Sequence, residues 1–488
     1  MSSTGKRRLA AAAAALALAL TGCTKAATTV LPPTAPAPTV TAAAGIGSAD
    51  LGDKYVPGSG NGGYDVASYD LNLRYDPATK RLDGTATITA TATSNLRRFN
   101  LDLHALTVSQ ATVDGAAATA AAQGDELVVT PAKPISDDKK FVVVVTYGGV
   151  PKPFGSATLS GDGFLSTSDG AFAIGEPQVA SAWFPVNDHP RDKATYKITI
   201  AAPDGLSVLS NGVLQSHASA NGFTTWNWVE SAPMAPYLAT VVIGRYRVHE
   251  STHNGLPVMT AVAPSLPTSI DAVLARTPEV IDFLATKFGP YPFDAMGGIV
   301  IDDQRIRYAL ENQTRPIYSD AFFSGDPAQG ITVVAHELAH QWYGDNISVA
   351  NWQDIWLNEG FATYAEWLWT AGHGGPTEQQ IFDQLYDSSP TVMWRTPPGN
   401  PPTDDLFSEK TGGSVYTRGG MTLHALRVTV GDAAFFQILR TWTAQRGGGN
   451  GTTQEFVDLA KQISGKNLDP LFNAWLYGTA RPEKPTPG

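Results

Sequence analysis

Apolar and polar positions alternate along much of the first half of the chain. Tyr69, Leu71, Leu73 and Tyr75 are interleaved with Asp70, Asn72 and Arg74, and this two-residue period predicts a half-buried strand. Thr85–Ala90 follows an Asp83-Gly84 turn, and Phe99–Leu103 alternates as well. Phe141–Val145 is a continuous β-branched run and predicts a strand buried on both faces. Tyr196–Ile200, Phe223–Val229 and Thr240–Ile243 extend the pattern, with a turn at Ser210-Asn211-Gly212. Many short strands with this punctuation predict a sandwich-like β domain over residues 63–248.

The period then changes. Asp271–Lys287 carries apolar residues at helical spacing and stops at Phe288-Gly289-Pro290, whereas Gly297–Ile301 reads as a strand. Val333, Val334, Ala335, Leu338 and Ala339 predict a buried helix, and Trp356–Leu368 predicts a second, aromatic-rich one. Helical spacing returns at Met421–Val430 and Phe456–Ile463. Mixed helix and strand from 249 to 480 makes the whole an α+β multidomain protein.

The chain's start has a different character. Lys6-Arg7-Arg8 precedes a short Ala/Leu run, Leu9–Leu20, which is too short to span a bilayer, and then Leu20-Thr21-Gly22-Cys23. This predicts a lipoprotein signal peptide over 1–22 and a lipidated Cys23 at the new N-terminus. The protein is therefore expected at the outer face of a bacterial cytoplasmic membrane, or secreted. Residues 23–62, rich in Ala, Thr, Pro and Gly, read as a disordered tether. Cys23 is the only cysteine, which leaves no intramolecular disulfide. The net charge of −11 argues against nucleic acid and against electrostatic docking on anionic lipid.

Chemistry concentrates in Val333–Trp367. His336, Glu337 and His340 form H-E-x-x-H, which places both imidazoles one turn apart on one helix face. Glu359 opens the next helix in W-L-N-E-G-F-A. Two His and one Glu are a catalytic zinc set that leaves a coordination position for water, and Glu337 can face that water as general base. Glu366, two turns after Glu359, is placed to hold the second ring nitrogen of a ligating histidine.

The wording and spacing of these segments resemble the gluzincin aminopeptidases related to aminopeptidase N and leukotriene hydrolase. The resemblance implies a thermolysin-like catalytic domain over 249–480 with one zinc on His336, His340 and Glu359. It implies peptide substrates with a free N-terminus. Ala309-Leu310-Glu311-Asn312 is similar to the family's G-A-M-E-N edge strand, with Tyr308 for Gly and Leu310 for Met. That likeness assigns the substrate's α-amine to Glu311 and places Ala309 among the substrate-binding residues. Glu176, before Phe184-Pro185, matches the glutamate of a family Gln-x-Glu, with Ile174 in the glutamine's place. Tyr416-Thr417-Arg418-Gly419 resembles Y-x-K-G, which implies an oxyanion-binding role for Tyr416. The alternatives are a gluzincin endopeptidase, an epoxide hydrolase as one relative is, or a non-catalytic surface binding protein, against which Glu337 and Tyr416 both speak. The large helical domain that family members often add has no counterpart in the sequence, so a comparatively open cleft is expected.

Overall fold

A computed structural model describes residues 45–154, 161–325 and 327–486. The expected signal peptide, Cys23 and the first part of the expected tether lie outside these residues.

The N-terminal half is built on an eight-stranded sheet. Its spatial order is Val213–Ala220, Phe223–Met234, Ala194–Pro203, Tyr64–Asp76, Arg81–Ala92, Lys140–Gly149, Thr107–Val113, Ala116–Ala117. Tyr64–Asp76 and Ala194–Pro203 pair in parallel, so Tyr69 meets Tyr196 with the rings stacked at 5.0 Å. Smaller sheets of three strands (Phe99–Asp102, Glu126–Thr130, Thr119–Gln123) and four strands (Ser207–Ser210, Val241–Gly244, Ala171–Ile174, Gly163–Ser166) share its core. Lys140–Gly149 is not buried on both faces, contrary to its unbroken apolar wording. Phe141, Val143 and Val145 are buried, while Val142 and Val144 are partly exposed, because the strand covers the core with one face only.

Residues 45–62 are folded onto the body, so the tether read from composition does not extend to 62. The stretch lacks apolar mass of its own but is pinned from outside. Tyr55 is buried and donates to the Pro401 carbonyl at 2.8 Å. The Asp53 carboxylate accepts from the Trp352 amide at 2.8 Å and lies 3.4 Å from His189 Nε2. Ser59 Oγ donates to the Asp188 carbonyl at 2.5 Å.

The second half begins with a five-stranded sheet in the order Arg247–His253, Leu256–Val262, Met296–Ile301, Ile317–Ser319, Ala309–Leu310. Ala309–Leu310 is therefore an edge strand. The expected helix over 271–287 is two helices, Ser269–Leu274 and Thr277–Phe288. The break falls just before Pro278, whose ring restricts the preceding residue and which has no N–H to donate. Gly289, at φ +101°, ends the second helix. The helix Trp356–Gly372 packs against both Pro327–His340 and Gly419–Val430, and Trp342, Trp352 and Trp356 are fully buried.

One buried polar cluster has an electrostatic cost. Asp102 and Glu126 face each other directly across the Phe99–Asp102 and Glu126–Thr130 pair. Burial, then the Asp188 and Glu126 charges, push the Asp102 carboxyl well above its usual range, and burial pushes Glu126 up to about 7. A raised carboxyl pKa means that the folded state holds its proton longer than the unfolded chain does. Stability is then full below the ordinary glutamate value of 4.5 and declines as pH rises through about 7. Glu126→Gln removes one charge of the pair. Its melting temperature should exceed wild type at pH 8 by about 2 °C or more, with little difference at pH 4.5. The same difference at both pH values would remove the pair from the account.

Candidate active site

The helix Pro327–His340 buries Val334, Ala335, Leu338 and Ala339 and presents His336, Glu337 and His340 to a cleft. The helix stops after His340, and Gly344 at φ +133° turns the chain back. A Cβ there would stand 3.2 Å from His340 Nδ1, so glycine permits the close approach. The turn lets His340 Nδ1 donate to the Tyr343 carbonyl at 2.9 Å. His336 Nδ1 donates to Glu366 Oε1 at 2.6 Å. With both Nδ1 atoms so occupied, both Nε2 atoms face Glu359. The separations from Glu359 Oε2 are 3.3 Å for His336 and 3.5 Å for His340. Glu359 lies in the first turn of its helix, where the helix dipole favours a carboxylate.

These distances fit a metal. Nitrogen and oxygen ligands about 2.1 Å from a tetrahedral ion stand roughly 3.4 Å from one another. The ring nitrogens are in the right tautomer for ligation, and each ring is oriented by its second nitrogen. The charges point the same way. Despite burial, the Glu311 and Glu359 charges raise the His340 imidazole to about 9, and Glu359 is held down at about 2 by His340 and His336. The place is built for a cation. His336, His340 and Glu359 form a candidate metal-binding set.

Around this set the structure places the remaining residues. The Glu311, Glu337 and His340 ligand atoms also lie within 4.8 Å of one another. Glu311 is buried at the end of the edge strand and accepts from Tyr237 Oη at 2.8 Å. Ala309 and Leu310 precede it in the cleft wall. Glu176 is buried in the same cleft, and its Oε1 has no partner among the described residues. Burial, then the charges of Glu311, Glu359 and Glu337, push its carboxyl far up. Ile174, where the family carries glutamine, is fully buried in a core strand. Tyr416 stacks on His336 with ring centroids 6.1 Å apart. It sits in a wide, π-helical turn, Ser414–Arg418, ahead of the Gly419 helix. Gly419 lies against Gly360, the residue after Glu359, and a Cβ on either would come within 2.9 Å of the other's Cα.

The cleft encloses about 280 Å³ and is completed by Arg307, Tyr308, Phe322, Phe407 and Glu409. None of Arg307, Phe322, Phe407 or Glu409 was singled out by sequence reasoning. Nor were Tyr237 and Gln341. Gln341 Nε2 donates to the Glu311 carbonyl at 3.0 Å and to Asp345 Oδ2 at 2.7 Å, and its Oε1 accepts from the Thr314 amide at 2.8 Å. The signal for Gln341 was its place directly after His340. Tyr237 carries no local signal.

Residues 66–238 match the Peptidase M1 N-terminal domain and residues 273–475 the Peptidase family M1 domain. The chain belongs to peptidase family M1. Aminopeptidase M1 of Arabidopsis thaliana is 27% identical over 442 residues, which is 83% of this chain and 49% of that protein. Aminopeptidase N of Streptomyces lividans is 26% identical over 310 residues, 59% of this chain and 36% of that one. The chain thus spans about half the length, or less, of these curated relatives. Its fold also matches the crystal structure of an M1 zinc metallopeptidase from Deinococcus radiodurans. The TM-score is 0.82 and the identity 28%, covering 90% of this chain and 99% of that one. A mutant of that enzyme has been crystallised with a Tyr-Ser-Ala substrate and gives the same TM-score of 0.82.

The Glu366 contact makes a prediction about the metal. Glu366→Ala should leave the ligands in place but lower zinc affinity about 10–100-fold, measured by competition with a chromogenic chelator. Unchanged affinity would show that the carboxylate does not orient His336.

Proposed function

We propose that the chain is a zinc-dependent aminopeptidase that hydrolyses the N-terminal residue from peptides. One observation carries this reading, the position of Glu311. The amine nitrogen and carbonyl carbon of one residue are only about 2.5 Å apart. An anchor for a terminal ammonium must therefore stand next to the metal donors, and the Glu311 carboxylate stands within 4.8 Å of a His340 ring nitrogen. A buried carboxylate offsets the cost of burying an ammonium, and Glu176 adds a second. The family relatives named aminopeptidase support the reading.

The chain's residues divide the work. Zinc, when bound to His336, His340 and Glu359, supplies a Lewis acid at the scissile carbonyl and acidifies a water there. Glu311 and Glu176 hold the ammonium and thereby register the first peptide bond. Glu337 takes a proton from the attacking water and passes it to the departing amine nitrogen. Burial raises the Glu337 carboxyl to about 8, with His336 and His340 drawing it down, so it can both accept and return a proton near neutral pH. The Tyr416 hydroxyl donates to the carbonyl oxygen as charge grows on it.

The test is one peptide with a free or an acetylated N-terminus, assayed on wild type and Glu311→Ala. Wild type should strongly prefer the free amine. The variant should keep its zinc and lose about a hundredfold or more in turnover of the free peptide, because the carbonyl is no longer aligned. Equal cleavage of both peptides by wild type would favour an endopeptidase.

We further propose that the protein is exported and tethered through a lipid on Cys23. The supporting features are Lys6-Arg7-Arg8, the Leu9–Leu20 run and the single cysteine after Gly22. Among the described residues, no helix is long and apolar enough to cross a membrane. Cys23→Ser should shift the protein from the membrane fraction to the soluble one. A wild type that is already soluble and unlipidated would overturn the anchor.

A further inference from the structure

Arg418 is fully buried, and no carboxylate pairs with it among the described residues. Its guanidinium instead serves backbone carbonyls on two separate segments. Nη1 donates to Trp394 at 2.8 Å and Thr396 at 3.3 Å, around the end of the helix Thr391–Arg395. Nη2 donates to Ala474 at 2.9 Å and Gly478 at 2.7 Å, in and just after the wide turn Asn473–Tyr477. Carbonyls at helix ends carry partial negative charge, which is what this buried cation has in place of a counter-ion. A planar fork of donors serves both segments at once in a fixed geometry, which the freely rotating ammonium of a lysine does not impose.

Tyr416 lies two residues earlier, in the same turn. Its hydroxyl makes no hydrogen bond to any described residue, so only its ring packing and its backbone turn aim it. On the upstream side the turn is held by the Thr417 amide donating to the Gly413 carbonyl at 2.8 Å and by Ser414 Oγ donating to Ser408 Oγ at 2.9 Å. On the downstream side it rests on the contact between Gly419 and Gly360. Two side chains hold that downstream side: Thr422 Oγ1 donates to the Arg418 carbonyl at 2.8 Å from within the following helix, and Arg418 ties the turn to segments outside that helix.

We propose that Arg418 is a positioning residue that aims the Tyr416 hydroxyl by tying its turn to residues 394–396 and 474–478. The role rests on the aminopeptidase reading above. It also assigns a function to the Asn473–Gly478 segment, as a strut for the oxyanion donor that does not itself touch substrate.

A double-mutant cycle tests this, with Arg418→Lys, Tyr416→Phe and the pair assayed on an aminoacyl anilide, with zinc content measured for each. Arg418→Lys should lower kcat about tenfold to a hundredfold, with KM within about twofold and zinc unchanged. In the Tyr416→Phe background the same substitution should change kcat by less than about twofold, since the group it aims is gone. Multiplying losses, or an unchanged kcat in Arg418→Lys, would overturn the proposal. Wild-type turnover of the anilide tests the aminopeptidase reading separately. A crystal structure of Arg418→Lys supplies an arm that needs no turnover. The Tyr416 ring should leave its 6.1 Å stacking on His336, and an unmoved ring overturns the role. If lysine prevents folding, Arg418→Ala assayed with added methylguanidinium replaces it. Restored turnover in the Tyr416 enzyme but not in Tyr416→Phe is expected, and equal restoration in both overturns the role.

Discussion

The Gln341 carboxamide is the interaction on which the site's dimensions depend. It is fully buried, and each of its polar atoms is used. On one side it holds the Glu311 carbonyl and the Thr314 amide, and so the segment that ends in the acidic anchor. Through its own backbone it is the residue after His340. The distance between the place for an ammonium and the place for a metal is thus spanned by one side chain with no rotational freedom left. The exopeptidase action proposed above needs such a fixed length, because a displacement of about 1 Å at the reacting atoms costs orders of magnitude in rate.

The same site concentrates negative charge. Glu176, Glu311, Glu337, Glu359 and Asp345 are all buried within one region, and Asp345 is itself pushed far up by burial and by Glu311. Apart from His336 and His340, which face Glu359, little protein cation answers them directly. Lys193 is drawn in to donate to the Asp345, Asn346 and Gly449 carbonyls, and burial lowers its pKa to about 7. Under the function proposed above, the cleft is matched to two positive partners from outside, a metal ion on one side and a substrate ammonium on the other. The carboxylates between them are costly to bury without those partners.

How much of this could be read from the residues follows from distance along the chain. The H-E-x-x-H arrangement is a property of one helical turn, and Glu359 opens the next helix, so their meeting is a local matter. Glu311 and Tyr416 were reached through phrases shared with a family. Tyr237 could not be reached at all, since nothing near it in sequence announces that its hydroxyl will meet Glu311. The alternation of the strands was visible, yet Phe141–Val145 looked doubly buried because valine suits both faces of a strand. The fold of residues 45–62 was invisible for the opposite reason. Their apolar content is too small to form a core, and the partners that hold them, Pro401, Trp352 and Asp188, are remote.

The crossing of Gly360 over Gly419 bears on how an enzyme of this shape can change its diet. Backbone meets backbone there, so Glu359 and the turn that carries Tyr416 are joined without any side chain between them. Exchanging side chains elsewhere cannot lengthen or shorten that link, and any side chain introduced at either glycine would force it apart. Diversification is thereby confined to the walls, where Tyr308, Phe322, Phe407 and the charged rim residues Arg307 and Glu409 can be swapped while the reacting centre keeps its dimensions. The chemistry is held rigid by two missing side chains, and selectivity is left to the residues that have them.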